Sequence, residues 1–154
     1  MAWYDNATRY VFFTGKGGVG KTSLACSTAV KLADEGKRVL LVSTDPASNL
    51  AHVFETEIGE GEPTPVPNVP RLKAFNIDPE AAARTYRDRI VGPVRGALPN
   101  DVIRQMGEQL SGACTTEIAA FDEFTSLLTD DQRTEGYDHI LSSTRRRQDT
   151  PCVC

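Results

Sequence analysis

Gly15-Lys16-Gly17-Gly18-Val19-Gly20-Lys21-Thr22 has the spacing G-x-x-x-x-G-K-[ST], and the sequence on either side of it sets the fold. Just before it, Tyr10-Val11-Phe12-Phe13-Thr14 is a β-branched and aromatic run that stops at Gly15, the pattern of a buried strand entering a turn. From Lys21 the period changes: Leu24, Ala25, Ala29, Leu32 and Ala33 share a helical face, and Gly36 stands where a helix would stop. Arg38-Val39-Leu40-Leu41-Val42-Ser43-Thr44 is then nearly continuous apolar sequence, as expected of a parallel strand covered on both faces. Strand, helix and strand predict a βαβ unit whose first turn is a phosphate-binding loop.

The chemistry of that loop follows from its residue types. Glycines let successive backbone N–H groups converge on an anion, and the following helix adds the positive end of its dipole. Lys21 is placed to reach the β and γ phosphates of a nucleotide, and Thr22 to give an oxygen to Mg²⁺. Lys16 adds a second cation that would offset charge developing on phosphoryl transfer, or is simply a solvated loop lysine. Asp45, at the carboxyl end of a second strand expected beside the first, lies where ligands bind in such sheets. It could orient or deprotonate an attacking water, and it could cap the short helix suggested by residues 49–54.

Farther along, residues 59–70 hold two Gly and four Pro and read as a surface loop without regular structure. Leu72 to Ile77 is a third strand candidate, and Asp78-Pro79-Glu80 supplies a cap, a first-turn proline and an early acid for a helix reaching Ile90. Asp101 would cap a short helix to Leu110, and a longer helix runs through Leu128 with Ile118, Phe121, Phe124 or Thr125, and Leu128 at helical spacing. Tyr137 to Leu141 begins another strand.

Composition bounds the function. Of 154 residues, 40% are hydrophobic and 25% charged, and 17 Lys plus Arg against 21 Asp plus Glu give a net charge of −4. That is a globular composition, with one domain as the default, and it argues against a nucleic-acid surface built on bulk positive charge. No apolar run approaches the roughly 20 residues of a membrane span, and the N-terminus lacks the plan of a signal peptide, so a cytoplasmic protein is expected. The four cysteines, Cys26, Cys114, Cys152 and Cys154, form no pair of C-x-x-C units and are expected to be thiols.

The form G-K-G-G-V-G-K-T resembles the deviant Walker A loop of the MinD, ParA, nitrogenase iron protein and ArsA group. Within that group, Phe12-Phe13-Thr14-Gly15, Lys21-Thr22-Ser23 and the run from Gly36 to Asn49 resemble the ArsA family of arsenite pump-driving ATPases. The most specific stretch, Glu108-Gln109-Leu110-Ser111-Gly112-Ala113-Cys114-Thr115-Thr116-Glu117-Ile118-Ala119-Ala120-Phe121-Asp122-Glu123-Phe124, is similar to the metalloid-responsive part of that family's first half.

The resemblance, over residues 10–141, implies an α/β P-loop domain with a mainly parallel sheet flanked by helices, here truncated. It implies ATP hydrolysis in two homologous halves, with As(III) or Sb(III) as activator or substrate, driving efflux through an ArsB-type membrane pump. Gly15, Lys16, Gly17, Gly18, Val19, Gly20, Lys21, Thr22 and Ser23 would then hold ATP, Thr22 would ligate Mg²⁺, and Lys16, Lys21 and Asp45 would serve catalysis, with Lys16 reaching a partner's nucleotide. Cys114 would be one thiolate ligand of the metalloid, which suits a soft ion, although its small apolar neighbours also suit a packed side chain. Cys26 reads as packing alone. Implied partners are the pump, a second ATPase half or homodimer partner, and an arsenite metallochaperone, with no nucleic acid. The implied location is cytoplasmic, peripheral to the inner membrane through the pump.

The match breaks after Leu141. Relatives continue from such a strand into Asp-Thr-Ala-Pro-Thr-Gly-His-Thr, whose Asp serves magnesium, whereas this chain reads Ser142-Ser143-Thr144-Arg145-Arg146-Arg147-Gln148-Asp149-Thr150-Pro151-Cys152-Val153-Cys154. With allowed codons, dropping two bases after Leu141 turns this tail into Val-Asp-Thr-Ala-Pro-Thr-Gly-His-Thr-Leu-Arg-Leu, with the Asp four positions after His139. The expected organisation is therefore residues 1–141 as the N-terminal part of an ArsA-type domain and residues 142–154 as a frameshifted tail, with a solvated Arg tail or a metal-binding Cys-x-Cys as alternatives. Competing functions are a tail-anchored-protein targeting ATPase, a ParA- or MinD-like switch, and a non-functional truncated product. The first of these uses a Cys-x-x-Cys dimer site and a Met-rich groove; the second needs an amphipathic helix or a basic surface.

Overall fold

The computed structural model describes residues 6–15, 18–45 and 50–145. In chain order its elements are β1 (Tyr10–Gly15), α1 (Lys21–Asp34), β2 (Val39–Ser43), α2 (Leu50–Val53), β3 (Thr64–Pro65), β4 (Leu72–Asn76) and α3 (Pro79–Val91). A 3₁₀ turn at Gly92–Val94 leads to α4 (Asn100–Gln109), α5 (Ala113–Thr129), α6 (Asp131–Thr134) and β5 (His139–Arg145).

The strands form one sheet in the order β1-β5-β2-β4-β3. β1, β5, β2 and β4 run parallel, and β3 lies antiparallel against β4 at the edge, so the expected mainly parallel α/β architecture is present. One expectation is corrected: β2 does not lie beside β1. The last strand, β5, is inserted between them, so that Ser142 pairs with Phe12 on one side and Val42 on the other.

Both faces of the sheet are covered, which is why all five residues of β2 are buried. On one face α1 sets Ala25, Cys26, Ala29 and Leu32 against Phe13, Val39, Leu41, Leu72 and Leu141. On the other, α3 and α5 set Ala82, Ala83, Ala119, Ala120, Phe124 and Leu127 against Leu40, Val42, Phe75 and Ile140. Each fully buried Leu, Ile or Phe contributes about 1.5–3 kcal/mol relative to an exposed position.

Local chemistry fixes the helix ends. At the close of α1, Gly36 adopts φ 87° and donates its N–H to Ala33 O, while Lys37 N–H reaches Leu32 O, so a left-handed glycine stops the helix as expected. Asp78 caps α3 by accepting from the N–H groups of Glu80 and Ala81, with Pro79 at the first position. α4 starts after Pro99, which places Asp101 inside its first turn and not at its cap. Asp130 caps the short α6, accepting from Gln132 and Arg133 N–H.

Three readings of packing change. Leu24 points outward from α1, and the small Cys26 and Thr28 lie inward. On α5, Phe121 is 68% exposed and Ile118 53%, whereas Ala119, Ala120 and Phe124 face the core. Small side chains let α5 approach the sheet closely, and that outweighs the larger apolar surface of the outward residues. The loop at 59–70 contains β3: Thr64 Oγ1 accepts Gly59 N–H and Val66 N–H donates to Leu72 O, while Pro65 is tolerated because β3 is an edge strand.

Candidate phosphate-binding site

β1 ends at Gly15 and α1 begins at Lys21, and the turn between them depends on left-handed glycines. Gly18 (φ 76°) and Gly20 (φ 80°) occupy a region that residues bearing a Cβ avoid. Gly20 carries the chain into α1, where its carbonyl accepts Leu24 N–H. A Cβ at Gly15 would lie 3.5 Å from both Lys21 Cδ and Val19 Cγ2, so the Lys21 stem folds back over the end of β1. The lysine therefore belongs to the loop and does not extend away from it. Thr22 is half-buried, while Val19 and Ser23 are exposed. Lys16 and Gly17, two of the expected nucleotide-binding residues, lie outside the described residues.

Beneath the loop, the carboxyl ends of three strands meet. Thr22 Oγ1 lies 3.4 Å from Ser143 Oγ of β5. Ser143 is in register with Ser43 of β2, and its carbonyl accepts Thr44 N–H at 3.2 Å. Ser43 Oγ in turn accepts the Asp45 N–H at 3.2 Å, so Asp45 leaves β2 with its backbone anchored at this end of the sheet. Ser43 and Ser143 are buried. Sequence reading missed both: Ser43 sat inside a strand read for hydrophobicity, and Ser143 lay beyond the point where the family pattern ended.

The neighbouring residue is anomalous. Ser142, 1% exposed, carries the one buried side-chain polar atom without a hydrogen-bond partner among the described residues. It sits between Phe12 and Val42 on the face covered by α5.

The two cysteines that can be placed behave differently. Burial pushes the Cys26 thiol up to about 12, which suits its reading as a packed side chain. Cys114, the second residue of α5, is disulfide-bonded, so the expected free thiol is not found there, and a thiolate ligand would require the reduced form. Cys152 and Cys154 lie outside the described residues. Among the described residues no group of three or more His, Cys, Asp or Glu is gathered to hold a metal ion, and no helix is long and apolar enough to cross a membrane.

A family model described as "Anion-transporting ATPase" matches residues 8–144. Among similar proteins, the "Arsenical pump-driving ATPase" of Acidiphilium multivorum is 60% identical over 144 residues, 94% of this chain and 24% of that protein. An Escherichia coli protein of the same name is 59% identical over the same shares. "ATPase get3" of Schizosaccharomyces japonicus is 46% identical over 78 residues, 51% of this chain and 24% of its own length. The chain thus spans about a quarter of the length of the arsenical relatives it matches.

Proposed function

The chain belongs to the anion-transporting ATPase family, and on that premise we propose that its loop at residues 15–22 binds the phosphates of ATP as part of an ATPase that energises arsenite or antimonite export. The observation that carries the reading is the pair of left-handed glycines, Gly18 and Gly20, that brings β1 onto the N-terminus of α1 with the Lys21 stem laid over Gly15. Backbone N–H groups, the α1 dipole and the Lys21 ammonium then act together on a polyanion. Lys21 stabilises charge that grows on the transferred phosphoryl group, and Lys16 adds to it from the loop or from a paired subunit. Asp45, anchored through Ser43, orients the attacking water.

The family implies Mg²⁺, which proteins usually hold through one or two carboxylates together with the substrate phosphates. Here Thr22 is accompanied by a neutral partner, the hydroxyl of Ser143. Thr22 would give an oxygen to the ion beside the phosphates, which the loop, the helix end and Lys21 bind, and Asp45 leaves β2 at this same end of the sheet.

Reduced Cys114 would offer one soft ligand to As(III) or Sb(III), with further thiolates supplied from elsewhere. The partners in this reading are a membrane pump of the ArsB type, a second ATPase half or homodimer partner, and a metallochaperone, with the chain at the cytoplasmic side of the membrane. The arsenical reading is favoured by coverage: 60% identity across 94% of the chain with a protein named as an arsenical pump-driving ATPase, against 46% across 51% with one named only as ATPase get3.

Competition for a fluorescent ATP analogue tests the phosphate-led mode of binding. Affinity should climb from AMP to ADP to ATP, with adenosine failing to compete. Adenosine competing as well as ATP would show that the base and not the loop drives binding, and would end this reading.

A further inference from the structure

The two edges of the sheet are built differently. β3 closes one edge with two residues, one of them Pro65, a residue that keeps an edge from pairing. β1 closes the other with six residues, Tyr-Val-Phe-Phe-Thr-Gly, that include neither a charge nor a proline. Ile140 N–H donates to Arg9 O, so by the alternation of a strand the N–H and C=O groups of Phe12 and Thr14 point away from β5. Among the described residues no strand lies on that side.

The helices on both faces leave apolar side chains over this same edge. α5 runs opposite to β1, since Tyr10 Oη donates to Leu128 O and Phe12 meets Phe124 edge-on with ring centroids 5.7 Å apart. Helical spacing puts Glu117, Phe121, Phe124 and Leu128 on one stripe, and the ion pair of Asp122 with Arg89 holds α3 on the other side of α5, so Phe121 stands on the β1 side. Phe12 is 50% exposed and Phe121 68%. On the opposite face of the sheet Leu24, 53% exposed, is turned away from Cys26 and Val30, which look toward α2.

We infer that β1 is a dimerisation edge: two copies of the chain pair their β1 strands antiparallel about a two-fold axis at Phe12, joining two five-stranded sheets into one. That register sets Phe12 against Phe12 of the second copy and Tyr10 against its Thr14, and it keeps helices of the same kind on the same face. The Phe12 and Phe121 rings of the two copies then cover one another on one face, and the Leu24 side chains do so on the other. Arg9 at the start of β1 and Glu117 on the α5 stripe toward its end are both exposed, so the two-fold brings opposite charges together at each end of the paired strands. The exposed parts of Phe12, Phe121 and Leu24, with the open backbone, offer about 500 Å² per copy, which reaches the total of about 1,000 Å² of a specific interface. Because the strands are antiparallel, the two loops after Gly15 lie at opposite ends of the pair, so this contact is separate from any pairing across the nucleotide.

Sedimentation equilibrium of the chain without nucleotide tests the interface. The parent should be a dimer at micromolar concentration, and Phe121→Glu and Thr14→Pro should each weaken it at least about tenfold. The first sets two charges among the apolar rings, and the second removes an outward N–H that β5 does not use. Lys21→Ala should dimerise like the parent. At dilutions where every chain is a monomer, Phe121→Glu should melt at the parent temperature, which separates loss of pairing from loss of fold. A benzophenone side chain placed at position 121 should cross-link to residues 8–15 or 117–128 of the second copy. A parent that stays monomeric would overturn the proposal and leave the edge to a strand from elsewhere in a longer protein. A dimer that both variants leave intact, or cross-links that map to α3 or β3, would overturn the assignment to β1.

Discussion

Thr22 and Ser143, 121 residues apart in sequence, place their hydroxyl oxygens 3.4 Å from each other at the point where α1 starts and β5 ends. The contact exists because β5 enters the sheet between β1 and β2, directly behind the loop. A chain that ended its sheet with β2 would have nothing behind Thr22, so the chemistry of the loop depends on the last strand as much as on the glycines.

The core assignment of α5 separates two phenylalanines three residues apart. Phe124→Ala should cost about 3–5 kcal/mol in urea unfolding, because Phe124 is buried and meets Phe12 edge-on with ring centroids 5.7 Å apart. Phe121→Ala should change stability by no more than about 0.5 kcal/mol, since its ring lies in solvent. Equal costs at the two positions would mean that the helix is turned differently on the sheet.

Acid should weaken the link between the starts of β2 and β5. The Arg38 guanidinium, together with the Arg38 backbone N–H, holds the Asp138 carboxyl down from 3.8 to about 2. The folded form therefore favours the carboxylate, and this contribution is complete above the unfolded value of 3.8 and disappears as pH falls through about 2. Melting curves of the parent and Asp138→Asn should differ at pH 6 and converge near pH 2; a difference that persists at pH 2 would assign the effect to packing.

Cys26 should be inert in the folded protein. With its thiol pushed up to about 12 by burial, it carries almost no thiolate at pH 8. Alkylation followed by peptide mass analysis should label it only after denaturation, and rapid native labelling would contradict its place against the sheet.

Reading the gene across codons 141–145 should reveal the shifted frame, with codons for Val-Asp-Thr after Leu141. A peptide from the native protein containing Leu141-Ser142-Ser143-Thr144 would contradict it.

The βαβ start of the fold was legible because its signals are local. Tyr10–Thr14 stops at a glycine, α1 changes period at Lys21, and Gly36 takes the left-handed conformation that ends a helix. Strand order was not legible: nothing near Val39 or Tyr10 reports that a strand more than a hundred residues later will part them. The face of α5 misled because hydrophobicity ranks Ile118 and Phe121 above Ala119 and Ala120, whereas close packing on a sheet rewards the smaller pair. Gly15, Lys21 and Thr22 were identified from spacing, but Ser143 needed the fold, since only strand register brings it to Thr22.

Isothermal titration of ATP into the parent chain and into Lys21→Ala tests the loop most directly. The parent should show saturable binding at one site per chain, and removal of the ammonium should weaken it at least about tenfold without lowering the melting temperature. Binding that survives Lys21→Ala unchanged, or a parent that binds no ATP, would contradict the assignment of residues 15–22 as the phosphate-binding site.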